Sequence, residues 1–147
     1  MADTSLVGER GTPREMLVER SKIREFATAC MTDNPAYLDD HVPVSEPTFL
    51  TTKNFWGRGG DSPVSRLGID FRRLLHGGDE FTFHGPPPRA GTVLTFTTRI
   101  ADAYEKEGKR GGTMTFYELV TDFVDESGTL VAEEKTTMII TGKATTD

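Results

Sequence analysis

The sequence predicts an α+β fold in which helices come first and then pack on one face of an antiparallel sheet of long strands. Three observations predict it. Ile23, Phe26, Ala27 and Cys30 recur at i, i+3, i+4 and i+7, the spacing of one helical face. From Asp79 onward the period changes to two: Phe81 and Phe83 alternate with Thr82 and His84, and Leu94, Phe96, Thr98 and Ile100 share one parity. Two long β-rich runs, Thr113–Val124 and Thr129–Thr141, are separated only by the turn signal Asp125-Glu126-Ser127-Gly128 and read as a hairpin. Helices followed by a meander of strands is the order of α+β domains. Long, strongly twisted strands would wrap around a helix rather than lie flat beneath it.

Taken in order, residues 1–11 read as a flexible tail on a single domain spanning 1–147. Arg14–Glu19, with Met16-Leu17-Val18 at its centre, reads as a short strand. Ser21 offers a hydroxyl to cap the first helix, and Asn34-Pro35 is the turn that stops it. Pro47–Trp56 reads as a second helix with Phe49 and Trp56 on one face, although three threonines lower its propensity. Gly57–Val64 is a loop rich in turn-formers. His76-Gly77-Gly78 opens the first long strand, Pro86-Pro87-Pro88 ends it, and Glu107–Gly112 connects the next two. The edges of such a sheet are commonly covered by a second copy or a relative.

The 147 residues suffice for a real core without staples. A net charge of −6 argues against nucleic acid or an anionic membrane as partner. The single cysteine, Cys30, excludes an internal disulfide, fits a reducing compartment and sits on a helix face that reads as core. No apolar stretch approaches the roughly 18 residues of a membrane span, and the first fifteen residues lack the apolar core of a secretory signal. A cytoplasmic protein is the expectation.

Several segments together resemble the N-terminal-type hot-dog domain of the MaoC-like dehydratase family. They are Val18–Ala27, Asp33-Asn34-Pro35-Ala36-Tyr37, Pro47-Thr48-Phe49, Leu75–Gly78, Glu80–His84, Arg89–Leu94 and the two late strands. The resemblance spans roughly residues 5–143. It implies an antiparallel sheet wrapped around a central helix, assembled as a homodimer or as a heterodimer with a related subunit. It also implies hydration chemistry on acyl thioesters of coenzyme A or acyl-carrier protein. Active members carry an aspartate two positions before the Asn of Asn-Pro and a histidine two positions after the Pro. One group moves the α-proton while the other handles the hydroxyl, and both must reach the same substrate.

In this sequence those two positions hold Thr32 and Tyr37. Threonine is no carboxylate base, and an ordinary tyrosine, titrating near pH 10, is a poor proton carrier at neutral pH. Asp33 and His41 have the right chemistry at the wrong spacing, since one residue turns a helical side chain by about 100°. The alternative for them is a helix-ending aspartate and a solvated loop histidine. The resemblance therefore implies a substrate-binding, non-catalytic subunit of a heteromeric (R)-3-hydroxyacyl-thioester dehydratase or enoyl hydratase, whose partner hot-dog subunit supplies the Asp/His pair. The alternatives are a self-sufficient homodimeric hydratase or thioesterase and a non-enzymatic acyl-thioester-binding dimer.

For substrate contacts the candidates are His76, Gly77 and Gly78, where glycine would admit a ligand close to the backbone or form a bulge. Phe49 and Trp56 are candidates for lining an acyl pocket, or else they are core. Lys106, Lys109 and Arg110, or Arg72 and Arg73, could meet phosphates. His41, His76 and His84 lack metal-ligand spacing, Gly57–Gly60 is not a phosphate loop, and neither metal nor cofactor is expected.

Overall fold

The computed structural model describes residues 1–56, 61–108 and 112–142. A short strand, β1 (Arg14–Leu17), leads into α1 (Arg20–Ala29) and a single-turn α2 (Pro35–Leu38). Three 3₁₀ segments follow, at Phe49–Trp56, Pro63–Leu67 and Phe71–Arg73. Then come four long strands, β2 (Leu74–Phe83), β3 (Val93–Glu107), β4 (Thr113–Asp125) and β5 (Leu130–Ile140). They form one antiparallel sheet in the order β1-β3-β4-β5-β2, so β1 and β2 are its edges.

The last hairpin forms where the turn signal stands. Asp125 Oδ1 accepts from the backbone N–H groups of Ser127 (2.9 Å) and Thr129 (3.0 Å), and Gly128 takes the positive φ of 81° that glycine accommodates. β2 begins at Leu74, earlier than the alternation suggested, and carries a bulge between His76 and Gly78. Residues 1–11, expected as a loose tail, lie against β3. Gly8 and Gly11 donate to the carbonyls of Ile100 and Thr98 (2.8 Å each), and Arg10 bridges to Arg99.

α1 starts one residue before Ser21. Glu19, not Ser21, is its N-cap and makes no side-chain cap bond, because the helix entry is fixed by the extended chain leaving β1, where Val18 N–H donates to Thr92 O (2.9 Å). The helix ends before Asn34. Met31 takes a left-handed φ of 55°, with Met31 N–H donating to Thr28 O (3.0 Å) and Thr32 N–H to Ala27 O (3.1 Å), which is a Schellman closure. Asn34 instead begins α2: its side chain accepts from Ala36 N–H (3.0 Å) with Pro35 in the first turn. Ile23 and Ala27 are buried as the spacing predicted, but Cys30 is the C-cap and is exposed.

The segment expected as a second α-helix is 3₁₀. At three residues per turn Phe49 and Trp56 stand about 120° apart rather than on one face. Phe49 is buried, packed edge-to-face on Phe26 with centroids 5.7 Å apart, while Trp56 is 37% exposed. Burying such a ring contributes roughly 1.5–3 kcal/mol.

Strand register shows how the core divides. On the helix-facing side, the row Phe96–Phe123–Ala132–Phe83 belongs to a cluster with Met16, Ile23, Phe49 and Leu50. The row containing Ile100 and Leu119 belongs to a second cluster with Tyr117 and Met138. Between them runs Thr98–Thr121–Glu134. The core is thus split by a polar row.

Candidate functional site

At the corner after α1, the Thr32 hydroxyl accepts from Asn34 N–H at 3.3 Å, so its oxygen serves the turn itself. Asp33 is exposed. Tyr37 is half-buried, with its ring packed against the first core cluster. Residues 38–42 are pinned from two sides: Arg24 Nη2 donates to Leu38 O (3.3 Å), and Arg89 Nη1 donates to Val42 O (2.7 Å). Asp40 accepts from Val42 N–H (2.9 Å), and this bond is the main cause that holds its carboxyl below the usual range, with Arg89 adding to it.

This pinning frames a cleft of about 700 Å³ between the start of α1, the 37–42 loop and Ala90-Gly91. Tyr37 and His41 both line it; Thr32 and Asp33 do not. Thr32 and Tyr37 are therefore divided, with Tyr37 at the cleft and Thr32 in the turn behind it. None of these groups forms a carboxylate–imidazole pair among the described residues.

A second cleft, of about 620 Å³, lies over the polar row of the sheet, between β2–β5 and the Phe49–Trp56 segment. Lys53 reaches down from that segment and ion-pairs with Glu134 on β5. Glu134 is almost fully buried, and burial pushes its carboxyl above the usual range, with the Lys53 charge opposing that rise. At the margin His76 Nε2 lies 3.3 Å from Asp79 Oδ2, and Thr136 Oγ1 donates to Asp79 Oδ1 (2.7 Å). Thr98 and Thr121 hydroxyls bond each other at 2.8 Å. Of the residues singled out in the sequence only His76 lies here. Lys53, Glu134 and Asp79 were missed, although Glu134 shares the inward parity of Ala132 and Met138.

The other candidates have structural surroundings. A Cβ on Gly77 would stand 2.9 Å from Thr137 Cγ2 and 3.0 Å from Thr137 O, so the bulge presses this glycine against β5. Gly78 follows it on the same edge strand. Phe49 lies in the core and Trp56 at the exposed end of its segment; neither lines either cleft. Arg72 pairs with Asp70 (2.9 Å), and Arg73 Nε donates to Thr141 O (2.6 Å). Lys106 Nζ sits over the stacked rings of Tyr104 and Phe116, 4.9 and 5.1 Å from their centroids. Lys109, Arg110 and Gly57–Gly60 lie outside the described residues. His84 bonds Glu133 (2.8 Å), so the three histidines stand apart.

Residues 5–134 match the family described as the FAS1-like, dehydratase domain region. A UPF0336 protein of Streptomyces griseus is 31% identical over 146 residues, covering 93% of each chain. Among solved structures, the ChsH1–ChsH2 complex from Mycobacterium tuberculosis superposes with a TM-score of 0.71 at 18% identity, over 94% of this chain and 87% of that one. The C-terminally truncated HadBC (3R-hydroxyacyl-ACP dehydratase) complex from the same organism gives 0.64 at 24% identity, over 88% and 96%. These likenesses show the hot-dog fold.

Proposed function

The chain belongs to the FAS1-like dehydratase-region family, and from that premise we propose that it is the substrate-binding, non-catalytic subunit of a heteromeric (R)-3-hydroxyacyl-thioester dehydratase or enoyl hydratase. The observation that carries this reading is the corner after α1. Where an acid–base pair would have to converge, Thr32 accepts a backbone N–H and Tyr37 packs against the core. A partner hot-dog subunit bearing Asp-x-Asn-Pro-x-His supplies proton transfer. This chain holds the acyl part of a coenzyme A or carrier-protein thioester and excludes water around it.

Three further observations support a partner. β2 is hydrogen-bonded to β5 along one side only, so its other edge is open. Phe71, just before β2, and Leu75, within it, are exposed apolar groups. Both structural neighbours named above are complexes of two named chains. Among the described residues no helix is long and apolar enough to cross a membrane; we place the complex in the cytoplasm.

Co-expression with a hot-dog subunit carrying the intact motif tests the reading. The complex is expected to hydrate enoyl-CoA faster than the partner alone; absence of both a complex and any rate gain rejects it. A second reading, a self-sufficient hydratase or thioesterase, is favoured by one observation: Thr136 holds Asp79, which in turn orients His76 at the second cleft. Turnover by the isolated chain, abolished by His76→Ala, would establish that version.

A further inference from the structure

We propose that the cleft over Thr98, Thr121 and Glu134 receives an acyl chain carrying a neutral oxygen substituent, a hydroxyl or keto group, beyond the reacting carbons. The proposal rests on the substrate-binding reading and narrows it to a class of substrate.

The floor of this cleft is the row where the sheet departs from a hydrocarbon core. Apolar clusters flank it, yet it presents two threonines and a carboxylate beneath a space of about 620 Å³. The ionic pair at its centre is deeply placed, with side-chain exposures of 10% for Lys53 and 1% for Glu134. Spare hydrogen-bonding capacity remains on both sides of the pair: Glu134 Oε2 has no partner among the described residues beyond its ion pair with Lys53, and donors are left over as well. An ammonium has three N–H groups, and Lys53 directs one at Glu134. Thr98 and Thr121 share one hydroxyl hydrogen between them, which frees the other to donate.

A plain alkyl chain laid here would strip water from these donors and return no acceptor. A hydroxyl or keto oxygen returns one. A carboxylate would also accept, but the surrounding charges oppose it: Lys53 is matched by Glu134, and Asp79, held by Thr136, adds a further negative charge at the margin. The site selects an oxygen without charge.

The test is isothermal titration of the full chain, alone and in complex with its catalytic partner. The probes are hexanoyl-, octanoyl- and decanoyl-CoA, each plain, with a terminal hydroxyl and with a terminal carboxylate. At the best-fitting length the hydroxylated thioester is expected to bind about tenfold tighter than its plain counterpart, with the carboxylate weakest. The isosteric Thr98→Val/Thr121→Val variant, checked for folding by thermal melt, is expected to lose that preference. Plain chains binding as well as hydroxylated ones at every length, or carboxylates binding best, overturns the proposal and leaves the subunit reading standing. No binding of any thioester by chain or complex overturns both. The native series decides even where the variant fails to fold.

Discussion

Lys53 and Glu134 are 81 positions apart in sequence and form a buried ion pair that ties the 3₁₀ segment to the centre of the sheet. Each charge is tolerated there because of the other. Lys53→Met should therefore leave an uncompensated carboxylate and destabilise the fold by about 3–5 kcal/mol. Lys53→Met/Glu134→Leu should recover most of that loss, as read by urea unfolding of the two variants and the native protein. A double variant no more stable than the single one would show that the pair is not coupled.

Glu46 gives a pH dependence of known sign. It is buried, both carboxylate oxygens lack a hydrogen-bond partner among the described residues, and burial raises its pKa. Between the unfolded and folded pKa values the native state binds more protons, so Glu46 favours folding fully below the unfolded value, and that stability is lost as pH rises through the folded one. Glu46→Gln cannot ionise. Its melting temperature should exceed that of the native protein at neutral pH, and the gap should close near pH 4, about where free carboxyls protonate.

The closure of α1 places a side chain in a glycine conformation. Met31 holds φ 55° and is fully exposed, so it gains no packing there. Met31→Gly should stabilise the protein by about 1 kcal/mol through relief of left-handed strain. Denaturant titration should show a raised midpoint with an unchanged slope.

In the assembled enzyme the corner should be catalytically dispensable. Thr32→Val and Tyr37→Phe are expected to leave kcat of the complex within about twofold, because neither group moves a proton in the proposed scheme. Replacing the partner's motif aspartate should abolish turnover. A pH-independent loss of more than about a hundredfold with Tyr37→Phe would assign this residue a direct role.

Charges on the open edge should block assembly without unfolding the subunit. Phe71 and Leu75 are exposed in the isolated chain, so Phe71→Asp/Leu75→Asp should change its melting temperature little. The same variant should elute as a monomer in size-exclusion chromatography with the partner present.

The strands were legible because two-residue alternation survives in β2 to β5, and the Asp125–Gly128 turn carries its own hydrogen-bonding groups. The start of α1 was misread at Ser21 because the preceding strand, not a hydroxyl, sets its entry. Asn34 looked like a stop and proved to be the cap of the next turn, a distinction that depends on the dihedral angle at Met31. The 3₁₀ geometry of residues 49–56 was hidden, and with it the separation of Phe49 from Trp56 and the inward aim of Lys53. The resemblance points to Thr32 and Tyr37, whereas the buried ion pair lies in the other cleft, of whose lining only His76 stands out in the sequence. A lysine and a glutamate so far apart in sequence carry no local signal.

The strand order also governs how this molecule is made. Among the described residues β2 is hydrogen-bonded only to β5, so Leu74–Phe83 waits through the synthesis of nearly fifty residues before its neighbour exists. Throughout that interval Phe81, Phe83 and Leu75 lack the strand they are paired beside in the finished sheet. A mate already folded nearby would find its docking rail ready before the newcomer had closed its own.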